Sequence, residues 1–266
     1  MLALVDGDLV CYRCAASAEN DEVDIACLRA GKLMEEILAD VGADSHRAFL
    51  THSSSNFRKT IDPQYKANRK DVVRPRHLPA VQEFLVTYFK AEWCNGYEAD
   101  DALGSEQRAS GTIICTLDKD LKQVPGNHYN WVKKEFSTVS EEEGLLSLYT
   151  SSLVGDRSDN IIGVAGLGVV KAARALEGLT TEAEMYQRCR ELYNDDERFH
   201  RNMQLLYIWR SPNDIWQPPG HVHHCGEDVL EGKEDVLDSC DCISGADVSV
   251  HTGGCPNRQN NTNRAT

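Results

Sequence analysis

No stretch of this 266-residue chain holds the roughly 20 consecutive apolar residues needed to cross a bilayer, so a transmembrane helix is not expected. The start, Met1-Leu2-Ala3-Leu4-Val5-Asp6, has neither a basic flank nor a small-residue cleavage site, and it reads as a strand rather than a secretory signal. A cytoplasmic protein is therefore expected, with its ten cysteines as reduced thiols. No internal repeat is present. Basic residues are scarce: 28 Lys and Arg stand against 42 Asp and Glu, a formal net charge of −14. Such a balance argues against nucleic-acid binding until its distribution is considered. From Gln217 onward eight acids and three bases are met, which leaves −9 for the body. Eight of the body's carboxylates belong to a candidate metal site set out below, so local patches rather than net charge should govern affinity for a polyanion.

A hydrophobic content of 41% is enough for one sizeable core with a small satellite. Val/Ile/Leu-rich runs alternate with helical patterns, which predicts an α/β fold with a mainly parallel central sheet flanked by helices. Leu2–Val5, Ala48–Thr51 and Thr112–Thr116 are the candidate strands, and polar or acidic residues follow each of them. That suits a site at the carboxyl ends of an open sheet. Asp24–Val41 has helical apolar spacing through Ile25, Leu28, Leu33, Ile37 and Leu38. Ser140 to Leu153 reads as another helix, with Ser140 as N-cap and Glu143 completing a capping box. Glu197–Trp209 is the expected last helix of the body. The expected units are an α/β domain over 1–138, a helical region over 139–216 and an acidic, aperiodic tail over 217–266 that reads as disordered.

The acids are placed with a pattern. Asp6-Gly7-Asp8 follows the first strand, Glu98-Ala99-Asp100-Asp101 opens a helical segment, Asp118-Lys119-Asp120 follows the Thr112–Thr116 strand, and Asp156 and Asp159 lie in the later loop Gly155–Asn160. Any one pair reads equally well as solvated surface. All of them converging on one cleft would need cations to neutralise them. Oxygen-only donors select hard ions such as Mg2+ or Mn2+, and two such ions can activate water against a phosphodiester.

Phe57–Leu78 supplies the opposite charge through Arg58, Lys59, Lys66, Arg69, Lys70, Arg74 and Arg76. Asp62-Pro63 reads as the start of a helix, on which Lys66, Arg69 and Lys70 would share a face with Tyr65 adjoining. Cations beside an aromatic ring suit a phosphate chain with a stacked base. Further on, Gly163, Gly166 and Gly168 punctuate a hairpin leading into a helix over Val169–Leu176 that carries Lys171. Glycines there would let the backbone approach a phosphate. A dinucleotide fingerprint is disfavoured because no strand is expected directly before the loop.

Taken together, Tyr65-Lys66-Ala67-Asn68-Arg69, Glu98-Ala99-Asp100-Asp101, Asp118-Lys119-Asp120 and Gly155-Asp156-x-x-Asp159-Asn160 followed by Gly163-x-x-Gly166-x-Gly168 resemble the 5′-nuclease superfamily. They are closest to the phage 5′-3′ exonuclease and flap endonuclease type. The resemblance spans about residues 2–210 and implies a helical arch over the site and a helix–three-turn–helix element. It implies Asp6, Glu98, Asp100 and Asp118 as ligands of a first metal, and Asp101, Asp120, Asp156 and Asp159 at a second metal or just outside it. It implies Lys66 and Arg69 on the scissile phosphate with Tyr65 beside them. Arg58, Lys59, Lys70, Gly163, Gly166, Gly168 and Lys171 are the implied DNA contacts. The implied cofactors are two Mg2+ ions, which Mn2+ can replace, and K+ at the glycine hairpin. The implied substrates are DNA 5′ ends, flaps and nicks, with RNA-primed duplex among them. Such an enzyme acts in phage-type replication in the host cytoplasm, alongside replication proteins and away from membranes. The alternatives are a ribonuclease of the related single-domain type, which lacks the hairpin and basic arch, and a non-catalytic DNA-binding relative, which gains nothing from an anionic cleft.

In one place the sequence departs from that pattern. The family usually has an aspartate after the second strand, where this chain reads Leu50-Thr51-His52-Ser53, and His52 is the nearest match. It stands either as a substitute beside the metals or as a solvent-facing loop residue. Asp8 sits near the expected metals at a position where the family does not require an acid. Cys11-x-x-Cys14 lacks a redox fold around it. The tail's His221, His223, His224, Cys225, Cys240, Cys242, His251 and Cys255 match no strong zinc template, so tail zinc is not expected.

Overall fold

The structure, a computed structural model, describes residues 1–220, with Ser53, Ser54 and Ser55 described by their backbone alone. The expectations for the tail beyond 220 lie outside the described residues. Six strands form one sheet in the order β3-β2-β1-β4-β5-β6: β1 (Leu2–Asp6), β2 (Ser45–Asn56), β3 (Glu92–Gly96), β4 (Thr112–Cys115), β5 (Gly126–Asn130) and β6 (Glu135–Val139). The first five are parallel, and β6 returns antiparallel on β5. The predicted α/β architecture is therefore present, with the strand order reversing about β1. In an open α/β sheet a site lies in the crevice outside the carboxyl ends of the strands at such a reversal.

Helices cover both faces of the sheet. α1 (Gly7–Ser17), α2 (Val23–Asp40) and α4 (Leu78–Phe89) bury one face with Ala3 and Val5. Leu4 points the other way, to α5 (Ala99–Glu106) with Phe49, Leu103 and Ile114. Side chains alternate along a strand, so Asp6 emerges on the α5 side, where Glu98 and Asp100 begin their helix. Between β2 and α4 lies α3 (Arg58–Ile61) followed by a single 3-10 turn over Ala67–Arg69.

Beyond β6 the chain builds a second core under α6 (Glu141–Val154), α7 (Val169–Ala175), α8 (Glu182–Tyr193) and α9 (Asp196–Leu206). The expected capping box at Ser140 and Glu143 is formed, with Glu143 N donating to Ser140 Oγ at 3.1 Å and Ser140 N donating to Glu143 Oε2 at 2.9 Å. Two short strands, β7 (Gly155–Asp156) and β8 (Ile161–Ile162), pair antiparallel and bracket the loop Arg157–Asn160. β8 therefore does stand directly before the glycine loop, contrary to expectation, though with only two residues. The last helix stops at Leu206 rather than Trp209, because Ile208 and Trp209 turn inward and are buried in extended chain. Among the described residues no helix is long and apolar enough to cross a membrane.

Candidate active site

The carboxyl ends of β1 and β4 are tied together by a hydroxyl. Thr116 Oγ1 donates to Asp6 Oδ2 at 2.8 Å and accepts from Asp118 N at 3.0 Å. The other Asp6 oxygen caps α1 at Leu9 N, 3.1 Å away. Asp118 Oδ1 accepts from Asp120 N at 2.8 Å, which fixes the turn that carries both acids. Burial, then the charge of Asp8, pushes Asp6 up to about 7. Burial, then the charges of Asp6 and Asp118, holds Asp100 well above the carboxylate range. Burial, then Asp118 and Asp156, raises Asp120 to about 6. Carboxylates that feel one another in this way share a cleft, and their mutual repulsion adds to the rise that burial causes. A hard cation meets that need with this all-oxygen donor set. Among the described residues, though, no three of these acids stand together in the geometry of a metal site.

Part of the neutralising charge is the protein's own. Lys66 Nζ lies 2.5 Å from Glu98 Oε1 and 3.6 Å from Asp159 Oδ2. Arg69 pairs with Asp159 and donates from Nε to Ser158 O at 2.9 Å. Burial disfavours the Lys66 charge, but Glu98 and Asp159 outweigh it and hold its pKa above the ordinary lysine value. Burial likewise opposes ionisation of Glu98, and Lys66 and Arg58 outweigh it, so its pKa is lowered. Asp159 is raised, because burial exceeds the pull of Lys66 and Arg69.

The segment that brings these cations in is not the predicted helix. Asp62 Oδ1 accepts from Gln64 N at 2.8 Å in a turn, and Lys66 adopts a left-handed backbone with φ of 55°. Regular helix is therefore broken before Arg69. Tertiary contacts decide the shape. Lys66 N donates to Asp159 O at 3.0 Å, Asn68 Nδ2 to Arg157 O at 2.8 Å, and Asn160 Nδ2 to Gln64 O at 2.9 Å, which fasten the segment onto the acidic loop. Tyr65 corrects a second expectation. It is buried rather than offered to a base, and its hydroxyl lies 3.1 Å from both Glu98 Oε2 and Asp159 Oδ2. Lys59 and Lys70 are exposed.

Arg58 and Asp101 are corrected together. Arg58 is 2% exposed and cannot meet DNA. Its guanidinium grips Asp101 with two bonds of 2.6 and 2.8 Å and donates to the carbonyls of Leu205 and Tyr207, each at 2.8 Å. Asp101 is fully buried and also caps α5 by accepting from Glu98 N at 3.0 Å. Its oxygens are committed within the fold, so it is not available as a metal ligand. Planar bidentate geometry makes arginine apt for such a buried pair.

His52 packs against an aromatic ring. It stands on the opposite face of β2 from Thr51, edge-on to Trp93 with ring centroids 5.7 Å apart. The carboxylate at the end of β2 is supplied by Asp8, whose oxygens accept from Thr51 N at 3.2 and 3.0 Å. Burial raises Asp8 to about 6 against those bonds, with Glu98 adding to the rise. An acid from α1 thus occupies the neighbourhood where one from the β2 loop was sought. Thr116, Thr51 and Asn56 anchor the acids without belonging to any acidic motif, so nothing in the sequence singled them out. Asn56 Nδ2 donates to Glu98 Oε1 at 2.8 Å, and Thr51 Oγ1 accepts from Ala99 N at 2.9 Å.

Asp120 and Asp156 line a groove of about 560 Å3 that runs past Lys119 and Lys122 to Gly155 and Val169. At its far end the glycines divide. A Cβ on Gly163 would lie 2.4 Å from Leu153 O, so that glycine serves the chain's own close packing. Gly166 has φ of +77°, and Gly168 faces open space with nothing within 4 Å of an added Cβ. Lys171 Nζ donates to Gly166 O at 3.2 Å and braces the hairpin from within. Ile162, Val169 and Val170 are exposed around it.

Both the sequence and the fold have known relatives. The family described as 5′-3′ exonuclease, N-terminal resolvase-like domain, matches residues 1–150. A 5′-3′ exonuclease of Buchnera aphidicola subsp. Schizaphis graminum is 26% identical over 228 residues, covering 77% of this chain and 79% of that protein. The exonuclease of Escherichia phage T7 is 30% identical over 196 residues, 63% of this chain and 64% of that one. The chain spans only 18% of a Caldicellulosiruptor bescii DNA polymerase I to which it is 30% identical. Among solved structures, a bacteriophage T5 protein co-crystallised with metal ions shares the fold with a TM-score of 0.61 at 17% identity, covering 77% of this chain and 88% of that one.

Proposed function

This chain belongs to the 5′-3′ exonuclease family and is a 5′-nuclease acting on DNA, and within that activity we propose the ion, the substrate forms and the residues that carry the reaction. The reaction is hydrolysis at 5′ ends and 5′ flaps, nicks and RNA-primed duplex included, in the cytoplasm during phage-type replication. Mg2+ is the working ion and Mn2+ its substitute. One observation supports this most: Asp6, Asp100 and Asp120 have their pKa values raised by burial and by neighbouring carboxylates, Asp118 among them, while Lys66 and Arg69 pair with Glu98 and Asp159 beside them. The T5 flap endonuclease, whose fold this chain shares, has been crystallised with DNA and metal ions.

Asp6, Glu98, Asp100 and Asp118 would hold one ion, and Asp120, Asp156 and Asp159 a second. When bound, the ions supply positive charge to the phosphodiester and to the attacking water. Lys66 and Arg69 orient the scissile phosphate and stabilise the charge that grows on its oxygens. Tyr65 acts through others, holding Glu98 and Asp159 from beneath. Gly166 and Gly168 meet the duplex backbone at the end of the Asp120–Val169 groove, with Lys59 and Lys70 as outer phosphate contacts. Incubating a labelled 5′-flap duplex with and without Mg2+ tests the reading, and absence of cleavage in both Mg2+ and Mn2+ overturns it.

Lys66→Ala is expected to lower single-turnover cleavage by roughly a hundredfold while duplex affinity falls only a fewfold, because the ammonium acts where charge develops in the reaction. Rapid-quench kinetics and a binding isotherm on the same substrate check this. Equal losses in rate and affinity would mark Lys66 as a plain phosphate anchor.

Gly168→Val bears on the hairpin. Gly168 has an ordinary negative φ of −87° and open space around it, so the protein should fold with unchanged stability. Affinity for duplex should nevertheless fall, with affinity for single strands retained. A mutant that loses both alike would reduce the hairpin to scaffolding.

A further inference from the structure

Beside the carboxylates, but on the other face of β2, a pocket of about 490 Å3 is lined by Thr51, His52, Arg74, Gln82, Trp93 and Asn95. Nothing in the reaction described above uses it. Its walls come from four places: the middle of β2, β3, the middle of α4, and the stretch that joins the basic segment to α4. Trp93 sets its character. Of the chain's four tryptophans, Trp131, Trp209 and Trp216 are 3, 6 and 4% exposed, whereas Trp93 is 37% exposed. Its indole belongs to none of the hydrophobic cores. The His52 ring meets it at an interplanar angle of 84°, forming an aromatic corner. Around that corner stand a guanidinium from Arg74 and two carboxamides, Gln82 and Asn95.

We propose that this pocket receives one unstacked nucleobase from the single-stranded 5′ arm of the substrate. The chemistry of the lining fits that ligand on each count. An exposed indole gives a base a face to stack on whatever its identity. Carboxamides can both donate to and accept from the edges of a base. Arg74 supplies a cation for the adjoining phosphate. The volume lies within the range of small-molecule sites. Thr51 connects the pocket to the reaction: it lines the pocket, its N–H holds Asp8, and its hydroxyl holds Ala99 at the start of α5. The role given to this ligand rests on the 5′-nuclease reading, whereas its capture by the pocket can be measured without any cleavage.

The full chain in EDTA, titrated with fluorescein-labelled oligo(dT), provides the test. Trp93→Ala should weaken binding roughly tenfold, the loss of one stacked base. Trp93→Phe should restore most of it, since a ring remains. Intrinsic tryptophan emission of the wild type should be quenched by unlabelled oligo(dT), because Trp93 is the exposed one of the four. Equal affinity for wild type and Trp93→Ala, or an unquenched emission, would overturn the proposal. With Mg2+ added, Trp93→Ala should raise KM for a duplex with a 5′ flap and leave KM for a duplex with a recessed 5′ end unchanged. Equal rises on both would also overturn it. If the wild type cleaves neither DNA in any divalent ion, the nuclease reading fails, and the EDTA titration still decides the pocket.

Discussion

Asp118→Ala is expected to lose cleavage by on the order of a thousandfold or more while binding DNA at least as well as the wild type. The acid sits where β4 delivers the chain to the cleft, joined through Thr116 to Asp6 on the neighbouring strand. Asp100 approaches from the start of α5 and feels the charge of both. Removing either carboxylate deletes a hard donor from the centre of the cluster, where no other side chain can replace it. It also deletes a negative charge facing a polyanion, which is why affinity should hold or rise. Single-turnover rates in saturating Mg2+, set beside binding isotherms in EDTA, separate the two effects. Near-normal turnover by Asp118→Ala would sink the ligand assignment, and a parallel collapse of binding would point to misfolding. Asp100→Ala is expected to behave alike, and a large difference between the two would place only one of them against the reacting phosphate.

The second large effect concerns stability. Arg58→Ala should cost about 3–5 kcal/mol, because it leaves Asp101 as an unpaired anion in the interior. The loss goes beyond one ion pair. The same guanidinium satisfies the carbonyls of Leu205 and Tyr207, so it fastens the segment after β2 and the chain after α9 to the base of α5. A variant with Arg58→Met and Asp101→Leu together removes both charges and should recover a large part of the deficit, since an apolar replacement of a buried pair is often tolerated. Urea unfolding of the two single variants and the double variant gives the coupling directly. A loss under about 1 kcal/mol for Arg58→Ala would contradict the buried placement, because that is the range of exposed pairs. Weakened DNA binding with stability intact would return Arg58 to the phosphate-contact role that its basic neighbourhood suggests.

Arg58 shows where a sequence stops being legible. Its charge and its neighbours Lys59 and Lys66 describe a basic stretch, yet its fate depends on Asp101 and Leu205, which are 43 and 147 residues away. The elements that were readable are those set by local rules. β1 is a short apolar run that ends in Asp6 and β4 one that leads on to Asp118, and Ser140 and Glu143 announce the start of α6 three residues apart. The four acidic motifs were legible as motifs, and the α/β reading carried them to strand ends. Within them, Asp100 and Asp101 are adjacent in the chain and cannot be told apart by spacing. Burial separates them, one turned into the cleft and one under a guanidinium. The helix expected after Asp62-Pro63 failed because Tyr65 is drawn inward and Lys66 bends left-handed to reach the acidic loop, which are tertiary demands that override propensity. The position after β2's apolar run was illegible for a similar reason. The β2 loop seemed to lack its acid, while Asp8 on α1 stood across from Thr51 all along.

With the ion and phosphate roles proposed for these residues, the pairing of Lys66 and Arg69 with Glu98 and Asp159 would also make ion and substrate thermodynamically interdependent. A phosphate that recruits those two side chains must take them from carboxylates already using them, and each carboxylate so released becomes a vacant anion in a buried place. A divalent ion relieves that penalty, and in binding it loosens the grip on the same two cations. The two ligands should therefore assist each other, and linkage requires the assistance to be mutual: whatever factor the ion contributes to DNA affinity, DNA returns to ion affinity. The free protein is thereby guarded. With only one of its two ligands present, its cations and anions remain largely occupied with each other, and the hydrolytic arrangement assembles when both arrive.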